Sequence, residues 1–444
     1  MRPRIAITGL GPLCSIASNP DAFASALARA DRSITPIRAF NASSHASRLA
    51  GQVPDYKIRD WVPRSYRKAT KVMARDTELA VIAAALAARD AGLVTRADDE
   101  AGAEGFAIDP GRSGCNIGAG LIAAEAAEMS RAVVSAVDDD GDFSTRLWGT
   151  EPPGAGGMNN LPPLWLLKYL PNMLACHVTI IHGLEGPSNT IMGGESGALL
   201  SIGESARIIE RGDADLCLAG GAEARVNPHG LLRWEYTGHL ARADEDDDPG
   251  ALCKPHDPAS SGSFLGDAGG MLVLERADHA ETRGARIHAF VAGFGAAQSL
   301  DPAIPLIDGV APGPIDDGLE TAIGSALRDA SCAPPDIDAV VPLASGAPAL
   351  DARERAAIDA ALGEHARAIP WYSLCDRVGN TLAAHGGLAA AAAAIAIRDG
   401  TRPGPGLPGT GAARDRTRRV LVCAPSLSGQ CAALVLSDEP PNDP

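Results

Sequence analysis

The feature that most constrains the fold is a strand–turn–helix unit that occurs twice, about half a chain apart. In the first unit, TIMGGESGALLSIGESARIIERGDADLCLAGGAEA (190–224), an apolar run stops at a glycine pair, a helix starts at once and a buried strand follows. The second, VGNTLAAHGGLAAAAAAIAIRDG (378–400), again joins a glycine turn to a long alanine-rich helix. Repetition of such a unit predicts an internally duplicated α/β fold.

The turn of the first unit has the layout of an active-site elbow, which holds a nucleophile at the start of a helix. The residue at the turn is Glu195, and a carboxylate is a poor nucleophile. We interpret Glu195 as an anion at a helix N-terminus, where it accepts hydrogen bonds from backbone N–H groups, and the alternative is a chemical role. Ser196 follows it, but the segment GESGA lacks the last glycine of the G-x-S-x-G elbow.

Composition excludes several classes of function. The net charge of −16 over 444 residues argues against nucleic acid and anionic membranes as partners, because both require a basic surface. A local arginine patch could still dock an acidic carrier protein. The nine cysteines are scattered without a CxxC pair, so neither a zinc site nor a disulfide framework is predicted. The acidic runs 138–143 and 244–250 lack the spacing of a calcium loop.

No segment is apolar over the length of a membrane span, and the N-terminal MRPRIAITGLGPL lacks the long apolar stretch of a signal peptide. These two observations predict a cytoplasmic protein with no membrane partner.

Four long blocks, in order along the chain, resemble the β-ketoacyl synthase branch of the thiolase-like superfamily. They are ITGLGPLCSIASNPDAFASAL, PNMLACHVTIIHGLEGPSNTI, ARIIERGDADLCLAGGAEA and KPHDPASSGSFLGDAGGMLVLERADHAETRGARI. The resemblance covers nearly the whole chain. It implies a thiolase-like duplicated α/β fold of five layers, α-β-α-β-α, with an N-terminal half over 1–280 and a C-terminal half over 281–444.

Active members of this family use a Cys–His–His set, and each of these positions is replaced here. Aligned without gaps on ARIIERGDAD, the nucleophile position is Glu195. The first histidine normally opens an HGTxTP segment, and Leu343 stands in its place in LASGAPALDARE (343–354). The second histidine position is Asn380, which follows VG before the alanine-rich helix.

Part of the family pattern is retained around these positions. Pro348, Asp351 and Glu354 match the proline and the two acidic residues that follow the first histidine in the family. Cys375 occupies the position of a family lysine, and the C-terminal GFGG-type gate has become PSLSGQ (425–430). The scaffold therefore persists while the chemical groups are gone, so we do not expect condensation by this chain alone.

The resemblance is strongest to the chain length factor of type II polyketide synthases, a ketosynthase-like subunit whose nucleophile has become Gln. Its Q-A-G-G elbow is close in character to Glu195–Ala198 here. The resemblance implies a non-condensing subunit of an acyltransferase that pairs with an active ketosynthase. An acyl carrier protein would bring the chain on its phosphopantetheine arm, and no bound metal, nucleotide or flavin is implied. In this family the segment near 160–190 often contributes to the dimer interface.

Three other functions stay open at this stage. Ketosynthase-like domains with Gln at the elbow are associated with decarboxylation of malonyl-carrier protein, but they keep histidines that this chain lacks. Hydrolysis through Ser196 would require a histidine base. The second-half histidines nearest a motif are His365 and His385, and His385 lies inside an Ala/Gly helix. The third function is binding of a carrier protein, or a scaffolding role, without a channel for the growing chain.

Overall fold

The computed structural model describes residues 2–99, 105–149, 156–303, 312–404, 406–412 and 416–440. Within these residues the chain forms thirteen strands: β1 (Ile5–Leu13), β2 (Ile34–Pro36), β3 (Leu49–Gly51), β4 (Leu93–Val94), β5 (Phe106–Ala107), β6 (Ser113–Gly118), β7 (Ser188–Ile191), β8 (Leu216–Glu223), β9 (Ala268–Arg276), β10 (Ala289–Gln298), β11 (Ala339–Val341), β12 (Arg419–Pro425) and β13 (Gln430–Ser437).

The same residues form sixteen α-helices: α1 (Pro20–Arg29), α2 (Arg75–Asp90), α3 (Arg96–Asp99), α4 (Ala126–Val134), α5 (Thr145–Gly149), α6 (Trp165–Lys168), α7 (Met173–His182), α8 (Gly197–Glu210), α9 (Pro228–Tyr236), α10 (Pro249–Leu252), α11 (Ala277–Thr282), α12 (Asp317–Asp329), α13 (Pro348–Leu362), α14 (His365–Ala368), α15 (Cys375–Val378) and α16 (His385–Asp399).

Nine of the strands form one sheet in the order β11-β12-β13-β10-β1-β9-β8-β6-β7. From β1 outward, the pairings with β9 and then β8 are antiparallel, and the next two, to β6 and β7, are parallel. From β10 outward, the pairings with β13 and then β12 are antiparallel, and the next, to β11, is parallel. The two halves of the sheet thus repeat one topology, and they meet where β1 and β10 pair over three residues. The internal duplication predicted from the sequence is confirmed.

The layers follow from which side each strand residue faces. In β8, Leu216 and Leu218 pack in the cluster that contains α2 and α7, whereas Cys217 and Ala219 pack in the cluster that contains α8 and α16. In β12, Leu421 packs with α12 and α13 on the far side of the second half-sheet. Helices α8 and α16 therefore lie between the two half-sheets, with α2/α7 and α12/α13 outside. This is the five-layer α-β-α-β-α arrangement, as expected.

The central layer explains the run of small residues in the second unit. All six alanines from 389 to 394 are buried. At the start of the same helix, a Cβ on Gly387 would lie 2.0 Å from the carbonyl oxygen of Gly270 in β9. Because helix and strand approach this closely, a larger side chain at Gly387 would force them apart.

Two further observations concern the membrane-spanning and disulfide-containing classes of protein considered in the sequence analysis. Among the described helices, none is long and apolar enough to cross a bilayer. All nine cysteines lie in described segments and are unpaired. The boundary between the halves near residue 280 stays a prediction.

Candidate functional site

The elbow places Glu195 at the end of β7 and the start of α8. Gly194 has φ of 53°, in the left-handed region that glycine adopts without strain, and one 3₁₀ turn (Gly194–Ser196) leads into the helix. Strand β6 passes close beneath, since a Cβ on Gly118 would lie 2.4 Å from the carbonyl carbon of Gly197. The predicted sharp turn is present, and it buries Glu195 to 3% exposure.

The charge of the buried Glu195 carboxyl is subject to opposing influences. Burial raises its pKa to about 7, and the charge of Glu223 contributes to the rise. The N–H of Glu195 itself, the Asn380 amide and the N–H of Leu427 act in the opposite direction, because each stabilises the ionised form. Burial therefore opposes the ionised form of Glu195, and the neighbouring N–H groups favour it.

Leu343 lies on a turn that the two retained acidic residues hold in shape. Glu354 accepts hydrogen bonds from the N–H groups of Leu343 at 2.8 Å and Ala344 at 2.9 Å. Asp351 accepts from the Ser345 hydroxyl at 2.9 Å. Burial and the charge of Asp351 raise the pKa of Glu354 well above its usual value. These acids maintain the backbone conformation of the turn. The residue at position 343 is a leucine, whose side chain can neither donate nor accept a proton.

Asn380 is fully buried beside Glu195. Its backbone N–H donates to the Phe264 carbonyl at 2.7 Å, and its Oδ1 accepts from the N–H of Leu382 at 2.9 Å. Its Nδ2 finds no partner with full hydrogen-bond geometry in the described part of the chain. The amide is thus fixed by its oxygen and presents its nitrogen toward the elbow carboxyl, which it stabilises electrostatically.

Three of the four predicted site residues, Glu195, Leu343 and Glu354, line one narrow cavity of about 320 Å³ of non-atom space, part of it open to solvent. Asn380 is adjacent to Glu195 but does not line the cavity. The remaining lining residues all belong to the second half: Ala303, Asp316, Leu350, Arg353, Pro425, Ser426 and Leu427. Among the described lining residues there is no thiol and no imidazole.

A cysteine and a histidine, Cys375 and His385, lie on the buried side of Leu343. The Cys375 thiol donates to the Leu343 carbonyl at 3.1 Å and lies 3.8 Å from Nδ1 of His385. Burial raises the pKa of the Cys375 thiol well above its usual value and lowers the pKa of His385 to about 4. A buried neutral thiol beside a buried neutral imidazole is not an activated nucleophile.

Sequence reasoning missed His256, whose Nε2 lies 3.6 Å from Oε2 of Glu354. Its backbone N–H donates to Asp351 at 2.8 Å, so it belongs to the acid group that supports the turn of Leu343. Its only sequence signal was its place inside the family block KPHDPASSG (254–262). It does not line the cavity.

Ser196 is fully buried, and its hydroxyl donates to the Gly193 carbonyl at 2.8 Å. No histidine hydrogen-bonds to this hydroxyl among the residues described. The geometry thus gives Ser196 no base.

One edge of the sheet leaves a strand paired on one side only, and many of the exposed apolar residues precede this strand in the sequence. Strand β7 pairs with β6 on one side and is the terminal strand of the nine-stranded sheet. Ten of the fourteen large hydrophobic residues that are exposed in the described segments fall between 121 and 192, and this concentration is typical of an interface. They are Leu121, Val134, Val137, Phe143, Met158, Leu164, Leu166, Leu167, Ile180 and Met192.

A second surface is basic, in contrast to the chain as a whole. Between residues 57 and 71 there are six basic residues and one acidic residue, Asp60, which gives this segment a charge of +5. All six basic side chains are exposed: Lys57, Arg59, Arg64, Arg67, Lys68 and Lys71. We call this segment the basic surface.

Comparison with known proteins places these features in context. The family model described as "Beta-ketoacyl synthase, N-terminal domain" matches residues 2–280, and "Beta-ketoacyl synthase, C-terminal domain" matches residues 308–405. "Granaticin polyketide putative beta-ketoacyl synthase 1" of Streptomyces violaceoruber is 30% identical over 91% of this chain and 88% of its own length. "3-oxoacyl-[acyl-carrier-protein] synthase 2" of Coxiella burnetii is 28% identical over 90% and 87%.

Among solved structures, "The ishigamide ketosynthase/chain length factor" superposes with a TM-score of 0.78. It is 24% identical and covers 99% of this chain and 100% of the matched chain. At that identity the likeness establishes the fold.

Proposed function

Because the chain belongs to the β-ketoacyl synthase family, we propose that it is a chain-length-factor-like, non-condensing subunit. In this proposal it pairs with an active ketosynthase in a heterodimer that elongates a polyketide or fatty-acid-like chain on an acyl carrier protein. The chain is thus part of an acyltransferase without performing the condensation itself.

The observation that carries the proposal is the state of the cavity. Glu195 fills the elbow, Leu343 replaces an imidazole and Asn380 is held by its own backbone contacts. Loss of a general acid–base group typically costs a factor of about 10² to 10⁴ in rate. A site without thiol and imidazole cannot form the acyl-enzyme or assist decarboxylation, yet the acids that shape it are retained. Retained architecture without chemistry supports a structural role in a larger enzyme.

The partner surface that we assign to this function is the β7 edge with its surrounding apolar residues. An unpaired edge strand offers backbone N–H and C=O groups to a second strand, and the exposed side chain of Met192, which directly follows β7, adds apolar area that a partner could bury. The sequence predicted a contribution from residues 160–190, and four of the ten exposed hydrophobic residues lie there.

The basic surface supports an acyl carrier protein as the second partner. Carrier proteins that bear a phosphopantetheine arm are acidic, so six exposed basic residues attract them in spite of the overall charge of −16. The phosphopantetheine belongs to that partner, and this chain would hold no cofactor of its own.

The site disfavours the two catalytic alternatives. Decarboxylation of malonyl-carrier protein would need an imidazole to stabilise the enolate, and neither Leu343 nor Asn380 provides one. Hydrolysis through Ser196 lacks a base, because its hydroxyl is bound to the Gly193 carbonyl.

Co-expression with a ketosynthase that keeps the Cys–His–His set, encoded near this chain, tests the proposal. We expect a stable one-to-one complex that condenses acyl and malonyl units, whereas each subunit alone does not. A matched pair of variants separates the roles. Replacing the ketosynthase cysteine should abolish product, and Glu195→Gln here should leave product nearly unchanged. A stable monomer that never binds such a ketosynthase would remove the proposal.

A further inference from the structure

The basic surface has little secondary structure to hold its charges in place. Across residues 57–72 the chain forms no α-helix or strand but three short 3₁₀ turns, Ile58–Asp60, Arg64–Tyr66 and Ala69–Val72. The hydrogen-bond geometry of such turns is poor. From residue 64 to residue 71 the one buried side chain is that of Thr70, and its hydroxyl donates to the Arg67 carbonyl of the same stretch at 2.9 Å. Buried side chains therefore anchor this stretch only weakly to the rest of the protein.

Tyr66 provides an anchor to helix α7. Its hydroxyl oxygen lies 2.9 Å from Nδ1 of His177, and the two rings meet edge to face with their centroids 5.8 Å apart. His177 is only 2% exposed, so it offers a rigid point of attachment. Burial lowers the pKa of His177, and the Val72 carbonyl acts in the opposite direction, so this carbonyl also lies beside the ring. One imidazole thus contacts the chain at residues 66 and 72.

Three of the six cations of the basic surface lie between these two contacts. They are Arg67, Lys68 and Lys71, and all three are exposed. Because its pKa is lowered, His177 is neutral at pH 7 and adds no charge of its own to the surface. A cation on a fixed stretch of backbone binds an acidic partner at a smaller cost in conformational entropy than a cation on a mobile stretch. The contact with His177 therefore affects where these charges lie and leaves their number unchanged.

We propose that His177 is a positioning residue for the acyl carrier protein. Through Tyr66 it holds Arg67, Lys68 and Lys71 in the arrangement that the acidic carrier binds. This inference rests on the carrier-docking role proposed above for the basic surface. It adds that the affinity for the carrier depends on a buried neutral ring beneath the surface as well as on the exposed charges.

Hydrogen exchange of the full-length chain tests the contact without any carrier. In Tyr66→Phe the ring stays and only the hydroxyl is lost, so the amides of residues 66–72 should exchange at least about threefold faster than in the wild type. Tyr236→Phe is the matched control, because Tyr236 is 83% exposed and lies outside the basic surface, and it should leave these amides unchanged. Unchanged exchange in Tyr66→Phe would overturn the inference.

Binding kinetics of the phosphopantetheine-bearing carrier protein encoded near this chain test the consequence. Tyr66→Phe should bind it about three- to tenfold more weakly, chiefly through a faster off-rate, because every charge that steers association is still present. If the wild type binds and Tyr66→Phe binds equally well, or loses only on-rate, this inference is wrong while carrier docking stands. No saturable binding by the wild type would overturn carrier docking itself, and the inference with it.

Two substitutions of the histidine separate the hydrogen bond from packing. The amide of His177→Asn can still hydrogen-bond with Tyr66, whereas His177→Leu cannot. We expect carrier affinity to fall in the order wild type, His177→Asn, His177→Leu, and equal losses in the two variants would contradict a positioning role through Tyr66. If either buried change impairs folding, Tyr66→Phe, at a partly buried residue, still decides the question.

Discussion

Replacing Glu195 by Gln should stabilise the protein at pH 8 far more than at pH 5. Burial raises the pKa of Glu195 from 4.5 to about 7 in the folded state. Below pH 4.5 the folded and unfolded states are both protonated, so the raised pKa costs nothing. Between pH 4.5 and 7 the unfolded chain loses the proton while the folded protein keeps it, so stability falls as pH rises. Above pH 7 the full cost is present.

The size of this effect follows from the shift. A rise from 4.5 to about 7 is about 2.5 pKa units, and each unit corresponds to about 1.36 kcal/mol. The full cost is therefore about 3 kcal/mol, of which about 2 to 3 kcal/mol develops between pH 5 and pH 8. Gln has nearly the same shape as Glu and does not titrate, so the variant does not incur this cost.

Urea unfolding of the wild type and Glu195→Gln at pH 5 and pH 8 measures this. The stability of the variant minus that of the wild type should increase by about 2 to 3 kcal/mol from the lower to the higher pH. Glu204→Gln is the matched control for the loss of one carboxyl, because Glu204 lies on the same helix with a side chain 43% exposed. A pH-independent difference for Glu195→Gln would refute the idea that burial controls this carboxyl.

Three further outcomes are expected. Glu195→Cys should not confer condensation on the isolated chain in an assay with acyl- and malonyl-carrier protein, because Leu343 and Asn380 leave no imidazole at the site. Product at rates near those of an active ketosynthase would contradict this. Glu354→Ala should lower the free energy of unfolding by about 2 to 5 kcal/mol in urea denaturation, since two buried N–H groups lose their acceptor; a loss below about 1 kcal/mol would show that they find other partners. Lys68→Glu combined with Lys71→Glu should weaken carrier-protein binding about tenfold at low salt and much less at high salt; a salt-independent loss would point to misfolding instead.

Much of the fold could be predicted because its signals are local. The glycine pair before Glu195 and the alanine run from 389 to 394 each specify a turn or a helix within a few residues, and the structure has both where expected. The five-layer arrangement came from the family resemblance. That the two half-sheets join through three residue pairs between β1 and β10 could not be predicted, because that pairing joins residues almost 300 positions apart.

The predicted site residues could be placed, but their contacts could not. Nothing in the sequence around Glu195 indicates that the N–H of Leu427, in the last loop of the chain, stabilises its carboxylate. His256 lies about 100 residues before Glu354, and its approach to that acid depends on a tertiary contact without a local pattern.

The measurement that tests the central claim most directly is the mass and activity of the chain with and without a ketosynthase that has an intact Cys–His–His set. Light scattering after size-exclusion chromatography, followed by a condensation assay on the same fractions, gives both quantities. We predict a heterodimer that makes product, no product from either subunit alone, and loss of the heterodimer when Met192 beside the β7 edge is replaced by Asp. Product from this chain alone, or a ketosynthase equally active without it, would contradict the account.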